Sequence, residues 1–163
     1  MVRLSSPRTE VFTDTHMKLA IGSDHAGFSL KEALKTFLKS RGHSVTDLGC
    51  PDAERCDYPD YAQKVAQSVS EGTVDRGVLV CGSGIGMCMA ANRLPKVRAT
   101  VLRSFDDARL SREHNDANVA CFGARLTKEL EAYSLLETFL TTPFEGGRHT
   151  PRIAKIDSSI NKK

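Results

Sequence analysis

The chain has 163 residues, 40% of them apolar, and a formal charge of +3; that is enough for one domain with a full hydrophobic core, and the charge is too mild and too evenly interleaved to point to nucleic acid. Seven Phe, three Tyr and no Trp leave few platforms on which single-stranded bases could stack. The five cysteines include no CxxC pair, which argues against a disulfide framework or a zinc knuckle and for a reduced, intracellular protein, and no apolar run approaches membrane-spanning length.

Residues 1–16 have neither a hydrophobic signal core nor any periodicity and read as a disordered leader, with Glu10 and Asp14 diluting the arginines that a transit peptide would need. The folded pattern is expected from Met17, as a single domain over 17–163. Lys18 to Gly22 predicts a short buried strand. After Ser23-Asp24-His25-Ala26-Gly27, the apolar positions Leu30, Ala33, Leu34, Phe37 and Leu38 predict an amphipathic helix closed by Arg41-Gly42, with Ser29 and Glu32 as its capping box. Val45 to Leu48 predicts a weaker strand, and a turn-rich segment from Gly49 to Pro59 leads to a helix carrying Ala62, Val65, Ala66 and Val69 and ending at Gly72.

Val78-Leu79-Val80 is a continuous apolar run of the kind buried on both faces of a parallel sheet. It ends in Cys81 and then in glycines at alternate positions, Gly82, Gly84 and Gly86, before a helix over about Ile85 to Asn92. Strands at Arg98–Leu102 and Val119–Gly123, with a helix from Asp106 to His114 between them, follow. A long helix begins near Thr127, with Leu130, Tyr133, Leu136 and Leu140 on one face, and stops before Pro143; a basic tail with a short helix reaches Ile160. Strands alternating with helices predict an α/β fold: one Rossmann-like, doubly wound parallel sheet of about five strands with helices on both faces.

Ligands in such sheets sit beyond the carboxyl ends of the strands. Asp24 and His25 follow the first strand, Cys81 to Gly86 the third and Arg103 the fourth, so one site at one sheet edge is expected. The glycine turn can bring backbone N–H groups close to an anion, and a helix terminus there would favour a thiolate at Cys81. It is a poor dinucleotide fingerprint: Met87 stands where the third glycine belongs, the turn follows the third strand, and Arg103 rather than an acid lies about twenty residues on. It has no Walker lysine either. Each feature also has an inert reading. Cys81 could be a buried core thiol, Asp24-His25 a surface turn, His114-Asn115-Asp116 a helix cap, and Arg148 with Arg152 a solvated basic tail rather than a phosphate clamp. Cys50, Cys56, Cys88 and Cys121 have no glycine turn after them and read as inert.

Taken together, Gly22-Ser23-Asp24-His25-Ala26-Gly27-Phe28, Asp57-Tyr58-Pro59, Cys81-Gly82-Ser83-Gly84-Ile85-Gly86, the segment Ser111 to Val119 and Glu145-Gly146-Gly147-Arg148-His149 resemble the type B ribose-5-phosphate isomerases, a family that includes allose- and galactose-6-phosphate isomerases. The matches run in the same order from Met17 to Ile160. The resemblance implies interconversion of ribose 5-phosphate and ribulose 5-phosphate in the pentose phosphate pathway, with no metal or organic cofactor, by a cytoplasmic homodimer or tetramer whose sites lie between two subunits. It implies Cys81 as the base, His114 as the ring opener, and Asp24 and Asn115 on sugar hydroxyls. Gly82, Ser83, Gly84, Ile85 and Gly86 would form the anion hole, Tyr58 would lie beside the site, and His25, Arg125, Arg148 and Arg152 would serve the phosphate, some from the partner chain. Some family members use a glutamate where Met87 stands here; Met87 cannot take a proton. A six-carbon sugar phosphate as substrate, or a non-catalytic phosphosugar-binding module, are the alternatives.

Overall fold

A computed structural model describes residues 15–161. Its five strands, β1 (Lys18–Ser23), β2 (Ser44–Asp47), β3 (Arg76–Cys81), β4 (Ala99–Val101) and β5 (Val119–Gly123), form one parallel sheet in the order β2-β1-β3-β5-β4. The helices are α1 (Phe28–Ser40), α2 (Tyr58–Ser70), α3 (Ile85–Ala91), α4 (Phe105–Glu113), α5 (Glu129–Thr141) and α6 (Thr150–Ser158). Except for His16, whose Nδ1 lies 2.6 Å from the Gly42 carbonyl, and Thr15, the expected leader lies outside the described residues.

Side-chain alternation along each strand builds two cores. Leu19, Ile21, Val78, Val80, Ala120 and Phe122 face Leu30, Leu34 and Leu38 of α1, Ala108 of α4, and Leu136 and Phe139 of α5. Ala20, Leu79, Cys81, Val119 and Cys121 face Ala62, Val65 and Val69 of α2 and Met87 and Ala91 of α3. The period of two therefore aims Cys81 at the α2–α3 side, where α3 begins. Burying an aliphatic side chain in either layer stabilises the fold by about 1.5–3 kcal/mol.

The chain runs from β1 outward to β2, then returns to β3 on the other side of β1. Crevices open where successive connections diverge in this way. The β1/β3 boundary holds Asp24 and Cys81.

Two local expectations change. The α1 capping box does not form: the helix starts one residue earlier, behind Gly27, without a side-chain cap. Glu32 turns to Lys35 at 2.8 Å and Lys31 at 3.3 Å instead. Asp24 supplies the local bond, accepting from the Gly27 N–H at 2.9 Å. On α5, Leu130 is 77% exposed and the buried stripe is Ala132, Leu135, Leu136, Phe139 and Leu140. Lys31 lies on the buried face of α1, where its amine meets both oxygens of Asp47 and the Cys50 carbonyl, the last at 2.7 Å.

Candidate active site

A cleft of about 540 Å³ opens beyond the carboxyl ends of β1 and β3, lined by Asp24, Tyr58, Cys81, Gly82, Ser83, Ile85, Gly86, Met89, Arg125 and Leu126. Cys81 is the last residue of β3 and is buried, yet it forms part of the cleft wall. The Gly84 N–H donates to Cys81 Sγ at 3.1 Å, a bond that strengthens as charge accumulates on sulfur. Gly84 stands in front of α3 with φ near +80°, a left-handed conformation that lets the chain turn back over the thiol. The Ile85 N–H donates to Ser83 Oγ at 3.2 Å.

The neighbouring glycines seat two other wall residues. A Cβ at position 82 would lie 2.9 Å from Arg125 Nη1, and one at position 86 would lie 2.6 Å from the Tyr58 ring. Gly82 thus gives the guanidinium its place, and Gly86 the phenol. Tyr58 opens α2, with Pro59 fixing the first turn. Arg125 follows β5, its N–H donating to the Gly82 carbonyl at 3.1 Å. Arg103, beyond β4, donates to the Ser83 carbonyl at 3.4 Å.

Asp24 is almost buried; one carboxylate oxygen is held by Gly27. His25 lies next in the chain but does not line the cleft; its Nδ1 is 3.1 Å from the Cys56 carbonyl and 3.3 Å from the Cys56 nitrogen. Met87 points into the core, with no exposure.

His114, Asn115, Arg148 and Arg152 do not join this cleft. His114 caps the C-terminus of α4, the helix that carries the chain back to the start of β5, and so stands at the amino edge of the sheet. Its ring stacks on His149, with centroids 4.5 Å apart and planes 16° from parallel. Arg148, in a 3-10 turn, and Arg152, on α6, are exposed and close enough to His149 to depress its basicity, after burial, the largest cause. Asn115 opens onto a second cleft of about 680 Å³ with Arg98, Ser111, Ile156 and Asp157. The expected residues therefore form two groups, one at each edge of the sheet.

Three contributors escape sequence reasoning. Met89 stands four residues after Ile85 on α3 and is exposed, and Leu126 follows Arg125; both line the thiol cleft. Their signal is an apolar residue placed beside a candidate site, which is weak. Arg98, which nothing in its neighbours singles out, binds the Asn115 and Asp116 carbonyls through Nε at 3.1 Å and both oxygens of Asp157 through Nη1 at 3.0 Å, tying α6 to the Asn115 loop.

Of the remaining thiols, Cys121 and Cys56 are held above the ordinary thiol range, whereas the hydrogen bond with Cys121 holds Cys88 below it. Cys121 is fully buried and pushed well above the ordinary thiol range by its hydrogen bond with Cys88 and then by burial. Burial, then the neighbouring Cys50, push Cys56 up to about 11.

The chain matches the Ribose/Galactose Isomerase family over residues 19–156. It is 44% identical over 139 residues to ribose-5-phosphate isomerase B of Escherichia coli, covering 85% of this chain and 93% of that protein. The solved ribose-5-phosphate isomerase B of Clostridium thermocellum superposes with a TM-score of 0.88 at 45% identity, over 90% of this chain and 99% of the other. The Mycoplasma genitalium enzyme, solved with bound ribulose-5-phosphate, gives 0.86 at 39% identity, over 90% of this chain and 97% of the other.

Proposed function

We infer the activity from one premise: the chain belongs to the ribose/galactose isomerase family. It is a ribose-5-phosphate isomerase of type B, interconverting D-ribose 5-phosphate and D-ribulose 5-phosphate. The observation that carries the reading is Cys81 in the wall of a cleft, with a main-chain N–H of the glycine turn 3.1 Å from its sulfur.

An aldose–ketose isomerase must remove a weakly acidic proton beside a carbonyl and hold the charge left on oxygen. Cys81 as thiolate takes the C2 proton of the open-chain aldose, and the resulting thiol, exchanging with solvent while the enediolate lasts, delivers a proton to C1. The enediolate oxygen formed between these steps is met by N–H groups of the turn Gly82, Ser83, Gly84, Ile85 and Gly86, each worth about 3 kcal/mol to the transition state as judged by deletion elsewhere. Asp24, with one oxygen held by Gly27, offers the other to a sugar hydroxyl, and Tyr58 walls the cleft. Arg125 serves the phosphate, joined by His25 once its ring turns from Cys56 toward the cleft, and the binding energy of that group positions the distant reacting carbons.

Ring opening, assigned to His114, requires a second protomer, because one chain holds Cys81 and His114 at opposite sheet edges. A homo-oligomer in which one subunit lends His114, Asn115, Arg148 and Arg152 to the thiol cleft of the other unites both groups. The exposed apolar rim of Ile85, Met89, Phe105 and Leu126 supports such an association. Among the described residues no helix is long and apolar enough to cross a membrane, which accords with a cytoplasmic enzyme acting on a diffusible sugar phosphate.

Incubation with ribose 5-phosphate in D2O tests the reading. Ketose should form with deuterium at C1. No ketose would overturn the assignment, and ketose without label would overturn the proton-transfer mechanism.

A further inference from the structure

Away from the thiol, His114, Glu145 and His149 each offer one ligand atom, and these atoms lie within 4.8 Å of one another. The cluster is built by three separate events in the chain: the end of α4, the loop after α5, and the 3-10 turn ahead of α6. A backbone bond from the Glu145 N–H to the Glu113 carbonyl, 3.1 Å, fastens that loop beside His114.

The imidazole of His149 is 93% buried, since its side chain keeps 7% of its exposure, and its Nε2 has no hydrogen-bond partner. A buried polar atom left in this state costs about 1–3 kcal/mol unless something satisfies it. The nearest acid, Glu145, holds a carboxylate oxygen 3.5 Å from Nε2. That is long for a hydrogen bond, but two ligands sharing one tetrahedral zinc ion, at about 2.0–2.1 Å each, stand roughly 3.3 Å apart.

We propose that His114, Glu145 and His149 bind a divalent transition-metal ion, with Zn²⁺ as the natural choice for two imidazoles and a carboxylate, and that occupancy inhibits the protein. Binding requires the stacked rings to open enough for both nitrogens to converge, a tilt that the His114 side can supply because it is only half-buried. Three protein ligands leave a fourth position for water. The nearby Arg148 and Arg152 oppose a cation and keep the site reversible. The binding claim stands on this geometry alone; the inhibition rests on the isomerase reading, because the ion would sequester His114.

The test titrates metal-stripped, full-length protein with Co²⁺, read by its visible ligand-field bands, and with Zn²⁺ in competition with a chromogenic chelator. One ion per chain is expected, without the near-ultraviolet band of thiolate-bound cobalt. Glu145→Gln, at an exposed position outside the proposed catalytic machinery, should keep its fold and weaken binding at least about tenfold, as should His149→Gln. Unchanged affinity in Glu145→Gln, or a thiolate band in the wild type, would overturn the site. In the activity arm, Zn²⁺ should slow the wild type reversibly on chelation and spare Glu145→Gln, which retains basal turnover. Zn²⁺ that inhibits both equally would overturn the inhibitory role. Absence of turnover in the metal-free wild type would instead count against the isomerase reading and leave the binding result standing.

Discussion

Cys81 and His114 stand at opposite ends of the same sheet: Cys81 pairs with Gly123 at the last rung of β3 and β5, while His114 precedes the first rung, where Gly77 pairs with Val119. The four strand steps between those rungs span about 13 Å. If turnover needs both groups, two inactive variants should complement each other. Equimolar Cys81→Ala and His114→Ala, unfolded together and reassembled, should recover about a quarter of wild-type activity, because half the dimers are mixed and each mixed dimer has one intact site. Recovery indistinguishable from zero, with mixed dimers shown by mass spectrometry, would place the whole site within one chain.

Removing the base should strike chemistry rather than binding. Cys81→Ala is expected to lower kcat by about 10²–10⁴-fold, the usual contribution of a positioned proton carrier. Ribose 5-phosphate should still raise its melting temperature. Near wild-type kcat would move the base elsewhere, and Met87, buried and without a proton to exchange, is not available to replace it.

Gly82→Ala places a methyl where Arg125 now lies. The guanidinium is the end of a flexible side chain, so the fold should survive and the arginine should shift. KM for ribose 5-phosphate should rise about tenfold with kcat little changed, as expected for loss of a charge-assisted bond to phosphate. Arg125→Ala should behave alike, and the double variant should be no worse than either single one. Additive effects would separate the two residues.

Acid should act through Asp47. Burial alone would raise its carboxyl, but hydrogen bonds from Lys35, the Gly49 N–H and Lys31 outweigh it and hold it near 2, below the ordinary 3.8. A carboxyl depressed by folding adds stability above its unfolded value, and that stability is lost as pH falls through 3.8 toward 2. Wild type should therefore lose melting temperature over this window more steeply than Asp47→Asn. Parallel curves would remove Asp47 from the acid response. Lys31→Met, which also leaves the Cys50 carbonyl unpaired, should cost about 1–3 kcal/mol in urea unfolding.

Much of the fold was legible because its signals are local. Apolar runs at Val78–Val80 and Val119–Phe122 mark buried strands, and the stripe Ala62, Val65, Ala66, Val69 marks a helix face. The errors arose where tertiary contacts overrode a local pattern. Ser29 and Glu32 have the spacing of a capping box, yet Glu32 is drawn to two lysines. Leu130 sits at a helical interval from Leu136 and Leu140, but falls on α5's first turn, beyond what the sheet can cover. Lys31, for which the sequence carries no expectation, is among the most buried side chains, because Asp47 and Cys50 arrive from outside α1 to meet its amine. The thiol cleft could be anticipated from the rule that ligands sit beyond strand ends. The placing of His114 could not, since a motif names a residue without saying which sheet edge its helix will reach.

The Arg98 clamp makes α6 a working part of the molecule. Asp157 hangs from the same guanidinium that steadies the carbonyl of Asn115, so anything that pulls on the last helix pulls on that asparagine too. A load placed on α6 would therefore reach the segment that we assign to the sugar.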